Sequence, residues 1–354
     1  MKKQSRLDTF RGKLQPTKIS GGRRRKIEND PEQALYSINT CSPFLLDEIK
    51  IERSKVLGRL PGKMQVVSTP LNNNVSNRRS HTDEVVAIAV QIAYMLGLNV
   101  NFCRAAALGH DVGHCPYGPH GNEILGIKHP QNGVIILQEV EGLNLTKEVV
   151  RAILYHSLDS NILDNGEKLS NEAFVVALAD KFAYLFRDFE DFQRTGMLKD
   201  LSPPEELLIF GFGNGKDFPR KGVEVCVNAL IEESLREGTI SFSKSEVAIA
   251  FQKIRKWAYG EIYNKLNDRP ERAYHKVNLK IVKEFVIEKG LHGSLAPEFA
   301  ISMMTDNDVN LLSIILQEGN LTTNVKEQID NLSVAETIRS LKGKEIDHKE
   351  NPLW

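Results

Sequence analysis

Residues 107–123, ALGHDVGHCPYGPHGNE, set His110, Asp111, His114, His120 and Glu123 among glycines and prolines at the end of an apolar run. Imidazoles and carboxylates carry protons and bind metals, and a packed core needs neither. His110 and Asp111 are adjacent, so an imidazole and a carboxylate leave one turn together, and a divalent cation accepts N and O ligands at once. Two ligands do not make a site, so others must converge from elsewhere. His81 stands at the start of the preceding helical run, and an antiparallel hairpin brings that start beside the end of the next helix. Asp180 interrupts the apolar run FVVALADKFAYLF, where a buried carboxylate is costly unless it is paired or bound to a metal. His81, His110, Asp111 and Asp180 together form a candidate His2Asp2 site for a divalent metal. Taken singly each has a plainer role, the histidines as caps and Asp180 as a partner of Lys181 or Arg187.

Helical periodicity supplies the elements that hold these residues. From His81, Val85, Ile88, Ile92 and Met95 recur at steps of three and four, and Gly97 closes the helix. A second helix runs from about Phe102 into AALGHD. A third, LTKEVVRAILYHS, has Thr146 as N-cap and Glu148 in its first turn. A fourth, from Asn171, ends near Gly196. Further helices are expected at 222–237, 244–267, 276–290, 297–318 and 324–341, with 62–68 and 238–243 as the only strand candidates. GFGNGKDF (211–218) lacks the GxxxxGK[ST] spacing of a phosphate loop and reads as a surface loop. No repeat interrupts the pattern, so the expectation is an all-α fold with a basic arm at 1–40, a helical core at 41–320 and a C-terminal helical segment at 321–354.

The bulk numbers fit that picture. The chain has 354 residues, 41% hydrophobic and 26% charged, which suits a globular protein with a large core. It has no run of eighteen apolar residues, so no membrane span is expected. The basic start lacks the apolar stretch of a secretory signal. The four cysteines form no CxxC pair, which points to a reducing cytoplasm rather than a disulfide or zinc framework. Net charge is zero, but residues 1–26 hold ten Lys/Arg against one acid, Asp8. Such an arm is either a solvated tail or a grip for phosphates, of single-stranded nucleic acid or of nucleotides at an oligomer interface.

The stretch RRSHTDEVVAIAVQIAYMLGLN…AAALGHDVGHCPYG resembles the HD-domain signature of bacterial dGTP triphosphohydrolases, a family related to the animal SAM- and HD-domain dNTP triphosphohydrolase. The likeness extends upstream through SPFLLDEIKIERSKVLGRLPGKMQVV. Downstream it runs through GLNLTKEVVRAILYHS and VVALADKFAYLFRDFED and, more weakly, ISMMTDND, and so spans roughly residues 42–310. It implies an HD-domain helical bundle with helical insertions and a C-terminal helical extension. It also implies that His81, His110, Asp111 and Asp180 hold Mg2+, Mn2+ or iron, and that a dNTP is the substrate. By the same likeness Arg78 meets the α-phosphate, Lys181 and Tyr184 touch phosphates, and Gln65 and Asp188 read the sugar 3′-hydroxyl. His114 matches a family histidine near the phosphates, and His129 in KHPQNG matches a family position less specifically, as a substrate-binding residue. The implied assembly is an even-numbered homo-oligomer, a tetramer or hexamer.

One departure concerns the acid–base pair. The family reads H-D-x-G-H-x-P-F-G-H-x-G-E, and here Pro119 and Asn122 stand where its third histidine and its glutamate would be. His120 and Glu123 recover the three-residue spacing one position later, as after a one-residue insertion. The expected reaction is hydrolysis of dGTP or several dNTPs to deoxynucleoside and triphosphate, with His120 or His114 protonating the 5′-oxygen and Glu123 orienting the histidine. Two rivals are an HD phosphohydrolase acting on another nucleotide, and a dNTP- or single-strand-binding oligomer whose altered loop has lost turnover.

Overall fold

The computed structural model describes residues 2–14, 16–17, 42–67, 72, 74–159, 163, 167–213, 217–293 and 295–318. Helices make up 71% of the structure, and no strand occurs among the described residues, so the all-α expectation holds. Of the first strand candidate, 62–68, the described residues 62–67 contribute only an isolated bridge between Met64 and Asn77, and the second, 238–243, contributes none. In both places side chains take the backbone groups a neighbouring strand would have needed. Asp306 accepts from the Met64 amide, and Glu233 accepts from the amides of Ser243, Lys244 and Ser245.

Helix α1 (Lys2–Lys13) lies within the stretch read as a free basic arm, yet it is docked. Phe10 and Leu14 are buried, and Arg11 Nε donates to Met95 O at 2.7 Å. Residues 18–40 of the arm, and the C-terminal segment 321–354 with its expected helix at 324–341, lie outside the described residues. After α2 (Pro43–Glu52) and α3 (Lys55–Arg59) comes the expected hairpin of α4 (Arg78–Leu96) and α5 (Val100–Gly109). Helix α4 begins three residues before His81, because Asn77 and Ser80 form a reciprocal capping box, and it ends on Gly97 at φ 69°. Two short helices, α6 (Gly118–Leu125) and α7 (His129–Ile135), follow the His-Asp turn, and α8 (Lys147–Tyr155) follows them. Thr146 is the N-cap of α8, but its hydroxyl donates to Asp47 instead of closing a side-chain cap.

Helix α9 (Asn171–Arg194) runs through the core against α4, α5, α8 and α10 (Phe218–Glu237). Phe182, Phe186, Phe189 and Phe192 are fully buried along one side, which leaves the Asp180–Tyr184–Asp188 stripe at i, i+4, i+8 for the cavity. The expected helix 244–267 is α11 (Glu246–Ala258), followed by one π and one 3-10 turn to Asp268; Pro270 then starts α12 (Pro270–Glu288), six residues earlier than expected. Pro270 forces Arg269 into the extended region (φ −77°, ψ 143°) and suits the first helical turn. The expected helix 297–318 is two, α13 (Pro297–Ser302) and α14 (Asp306–Glu318). The break falls where Thr305 and Asp308 cap one another, the Thr305 amide donating to the carboxylate and the Asp308 amide to the hydroxyl. No described helix is long and apolar enough to cross a membrane.

Candidate metal centre and active site

Three helices deliver the four metal candidates. His81 comes from the first turn of α4, His110 from the end of α5 with Asp111 just after it, and Asp180 from the middle of α9. His81 Nε2 lies 3.0 Å from Asp180 Oδ1, His110 Nε2 lies 3.4 Å from His81 Nε2, and 3.7 Å separates His110 Nε2 from Asp180 Oδ1. Asp111 Oδ2 is 3.6 Å from His81 Nε2 and 3.5 Å from His110 Nε2. Ligand atoms about 2.0–2.2 Å from one ion stand about 3.0–3.5 Å apart, so the spacing suits a shared cation. The chemistry suits it too. His110 Nδ1 faces the Ala107 carbonyl at 2.6 Å and donates its proton there, which leaves the Nε2 lone pair turned into the cluster. Burial opposes the charge on Asp111, but His110, Arg78 and His114 outweigh it and hold the carboxyl well below its ordinary range. Asp180 is likewise lowered, by His81 and His110 against burial.

A second His/Asp group adjoins the first. Asp111 shares it with His129 and His156, whose Nε2 atoms are 3.1 Å apart, and the spacing of the three could also hold a cation. His156 carries no role in the sequence reading. Its only signal was its place at the end of the α8 pattern, where its Nδ1 faces the Ile153 carbonyl at 2.7 Å.

Every site residue singled out from sequence except His110 lines one cavity of about 700 Å³; His110 is fully buried behind it. Arg78 is clamped: it pairs with Asp111 at 2.7 Å and donates to the Gln65 and Met64 carbonyls. Lys181 is buried and donates to the Leu158 and Ala177 carbonyls, with Asp159 at 3.7 Å. Tyr184 accepts from Arg255, which also pairs with Asp159 at 2.8 Å. Asp188 accepts from Tyr263 at 2.6 Å, and burial pushes its carboxyl up to about 7. The Gln65 side-chain oxygen is buried without a partner, a free acceptor at the wall. Arg255, Tyr263 and Arg272 line the cavity from α11, the π turn and α12. On the sequence they sit in ordinary amphipathic patterns, which gave no signal.

The two histidines proposed for proton transfer differ. His114 Nε2 lies 3.2 Å from Asp111 Oδ1, and its ring stacks on His129 at 3.9 Å. Asn122 accepts from the Cys115 amide through Oδ1, so its Nδ2 donates to His114 Nδ1 at 2.9 Å and the ring proton sits on Nε2. His114 is held neutral, down to about 3, by burial and the neighbouring Arg78. His120 does not form the expected pair with Glu123. Its Nδ1 is buried without a partner, and its ring tilts toward His275 at 5.8 Å. Burial, Arg272 and Lys276 lower it to about 4, while Glu123 is exposed at the cavity mouth. The reason lies in register. A Cβ at Gly121 would sit 1.8 Å from the Pro116 carbonyl, so glycine locks α6 against the preceding loop and turns Asn122, not Glu123, toward His114.

The HD domain family matches residues 78–185, a span that contains His81, His110, Asp111 and Asp180. An all-helical bundle that brings a His-Asp cluster to one cavity is an HD phosphohydrolase fold, and its His/Asp groups suit a divalent metal. A deoxyguanosinetriphosphate triphosphohydrolase-like protein of Clostridium tetani (strain Massachusetts / E88) is 34% identical over 267 residues, 72% of this chain and 75% of that protein. One from Clostridium perfringens (strain SM101 / Type A) is 34% identical over 285 residues, 76% and 77% of the two chains. The chain belongs to this family of deoxyguanosinetriphosphate triphosphohydrolase-like proteins.

Proposed function

We propose that the protein hydrolyses deoxynucleoside triphosphates, dGTP or several dNTPs, to deoxynucleoside and inorganic triphosphate. The observation that carries the reading is one cavity that joins the His81–His110–Asp111–Asp180 cluster to two cations, Lys181 and Arg255, and to the acceptors Gln65 and Asp188. The four residues of the cluster would hold Mg2+, Mn2+ or iron, and a divalent cation supplies Lewis acidity and an activated water. Lys181, Arg255 and Tyr184 bind the phosphates, and Arg78 offsets charge near the α-phosphorus while fixing Asp111. Gln65 and Asp188 hold the 3′-hydroxyl. Water adds to the α-phosphorus, the P–O5′ bond breaks, and the proton the water loses is matched by one the 5′-oxygen gains. We assign His114, oriented by Asn122, to carry that proton: held neutral, it takes up the proton the water loses and gives it to the 5′-oxygen. His129 stacks on it, and His120 with Glu123 stands at the mouth. The even-numbered oligomer, and single-stranded nucleic acid as a partner of the basic arm, belong to the same reading as proposals.

The test is a screen of purified protein against the four dNTPs and matching rNTPs with Mg2+ and Mn2+, with ion-exchange analysis of products. Intact triphosphate from a dNTP, with ribonucleotides poor, is expected, since a site closed on the 2′ position strands a hydroxyl unpaired. Equal turnover of GTP and dGTP removes the sugar assignment, and monophosphate or pyrophosphate products remove the reaction. Pro119 and Asn122, standing at the positions of the family's third histidine and its glutamate, favour one alternative: a dNTP-binding protein without turnover. Saturable dNTP binding with no product under any metal would select it.

A further inference from the structure

Asp306 begins α14, far outside the HD match, and it is buried. Its two oxygens are used separately. Oδ2 accepts from the Met64 amide at 2.8 Å and Oδ1 from the Tyr117 amide at 2.7 Å. These amides belong to the two stretches that reach Asp111 from opposite sides. The Met64 and Gln65 carbonyls receive Arg78, whose Nη1 is 2.7 Å from Asp111 Oδ2. Tyr117 ends the turn that carries His114, whose Nε2 is 3.2 Å from Asp111 Oδ1. The chain of contacts therefore closes on itself, from Asp306 through Met64, Gln65 and Arg78 to Asp111, and back through His114 and Tyr117.

Tyr117 itself is unusual. It is a non-glycine residue at φ 64°, a conformation that persists only where its surroundings enforce it. Helix α14 holds it at both ends, the amide through Asp306 and the hydroxyl through Asn310 at 2.5 Å, while His275 stacks on its ring at 3.9 Å. Gly118, next along, is pressed so close that an added Cβ would stand 3.0 Å from the Gln65 carbonyl oxygen and 3.1 Å from an Arg78 nitrogen. From behind, Lys63 donates both to the His114 carbonyl and to the Ser302 carbonyl just before α14.

We propose that Asp306 is a positioning residue, which sets the separation of Arg78 and His114 about Asp111 by holding the Met64 and Tyr117 amides on one carboxylate. The role needs two acceptors on one short stem. An amide of the same shape offers one acceptor oxygen and an NH2 group, and that NH2 would face a backbone donor. The proposal rests on the phosphohydrolase reading of the cavity.

The experiment compares wild type, Asp306→Asn and Asp306→Glu as full-length, Mn2+-loaded protein. Asp306→Glu keeps both acceptors but moves them by one methylene, so it satisfies the amides and shifts the walls. Both variants are expected to lose kcat for dNTP by about 10–100-fold with KM within about threefold, since small misplacements of reacting groups are costly. Mn2+ stoichiometry and far-UV circular dichroism should match wild type, and the low-temperature EPR spectrum of bound Mn2+ should change as Asp111 moves. A kcat within twofold of wild type in Asp306→Glu overturns the proposal, as does a loss that only tracks the unfolded or metal-free fraction. If wild type turns over no dNTP, the substrate reading fails separately and the EPR comparison decides: an altered spectrum upholds the role of Asp306, an unchanged one overturns it.

Discussion

Glu233 on α10 and Asp180 on α9 are both carboxylates drawn into the body of a helical bundle, and their surroundings are opposites. Glu233 accepts from the Ser241 hydroxyl at 2.7 Å and from the amides of Ser243, Lys244 and Ser245 at 2.7, 3.0 and 2.8 Å. Asp47 and Glu172 follow the same rule, accepting from Thr146 and from the Thr17 and Asn99 amides. Each ties one piece of chain to another. Asp180 instead meets imidazole nitrogens, from His81 at 3.0 Å and His110 at 3.7 Å, and His81 Nδ1 has no partner. Backbone donors complete a structural carboxylate, whereas a cluster of lone pairs facing one another is completed by a cation. The number and kind of donors around a buried acid thus separate a knot in the fold from a working site.

The comparison breaks first at the metal ligands, where the largest effect lies. Asp180→Ala and His110→Ala should each remove bound metal and turnover together while helical circular dichroism stays intact. Stoichiometric metal in Asp180→Ala by elemental analysis would falsify the four-ligand cluster. The next effect sharpens the division inside the cavity. His114→Ala should lower kcat by about 10²–10⁴-fold, the usual share of proton transfer, whereas His120→Ala should cost far less. The reverse ranking in steady-state kinetics would return the acid to His120 and reduce Asn122 to a structural hydrogen bond.

The smallest effect falls on the structural side. Glu233→Gln should leave kcat unchanged and destabilise the fold by about 2–3 kcal/mol, because a donor then faces backbone amides. Burial raises the Glu233 carboxyl, but Ser241 and the Ser243 and Ser245 amides outweigh it and bring it from 4.5 down to about 2. A carboxyl lowered on folding stabilises the fold above its unfolded value, and that stabilisation is lost as the pH falls from about 4.5 toward 2. Urea titrations across that range should show a shallower loss in Glu233→Gln than in wild type. Equal slopes would mean that Glu233 does not stand apart from the other acids.

Much of the site was legible because its residues announce themselves locally. His110 and Asp111 are neighbours, and Asp180, Tyr184 and Asp188 share a stripe through i, i+4 spacing. An acid inside an apolar run is conspicuous whatever surrounds it. The helix breaks were less legible. The Thr305–Asp308 cap is present in the letters TDND but lies inside a periodic apolar pattern that continues across it. The expected pairing of His120 with Glu123 rested on spacing alone, and spacing does not say which way a short helix is rotated.

The sequence by itself determined the all-helical class, the α4–α5 hairpin and the candidate metal ligands, since periodicity, caps and the cost of burying charge act within a few residues. Only the tertiary structure decided that Asn122 serves His114, that Arg255, Tyr263 and Arg272 join the cavity, and that Asp306 binds Met64 to Tyr117. Those choices depend on contacts between segments far apart in the chain. The packing of α6 on the loop before it, and of α12 and α14 behind that loop, sets which donor meets which acceptor, and no local pattern carries that information.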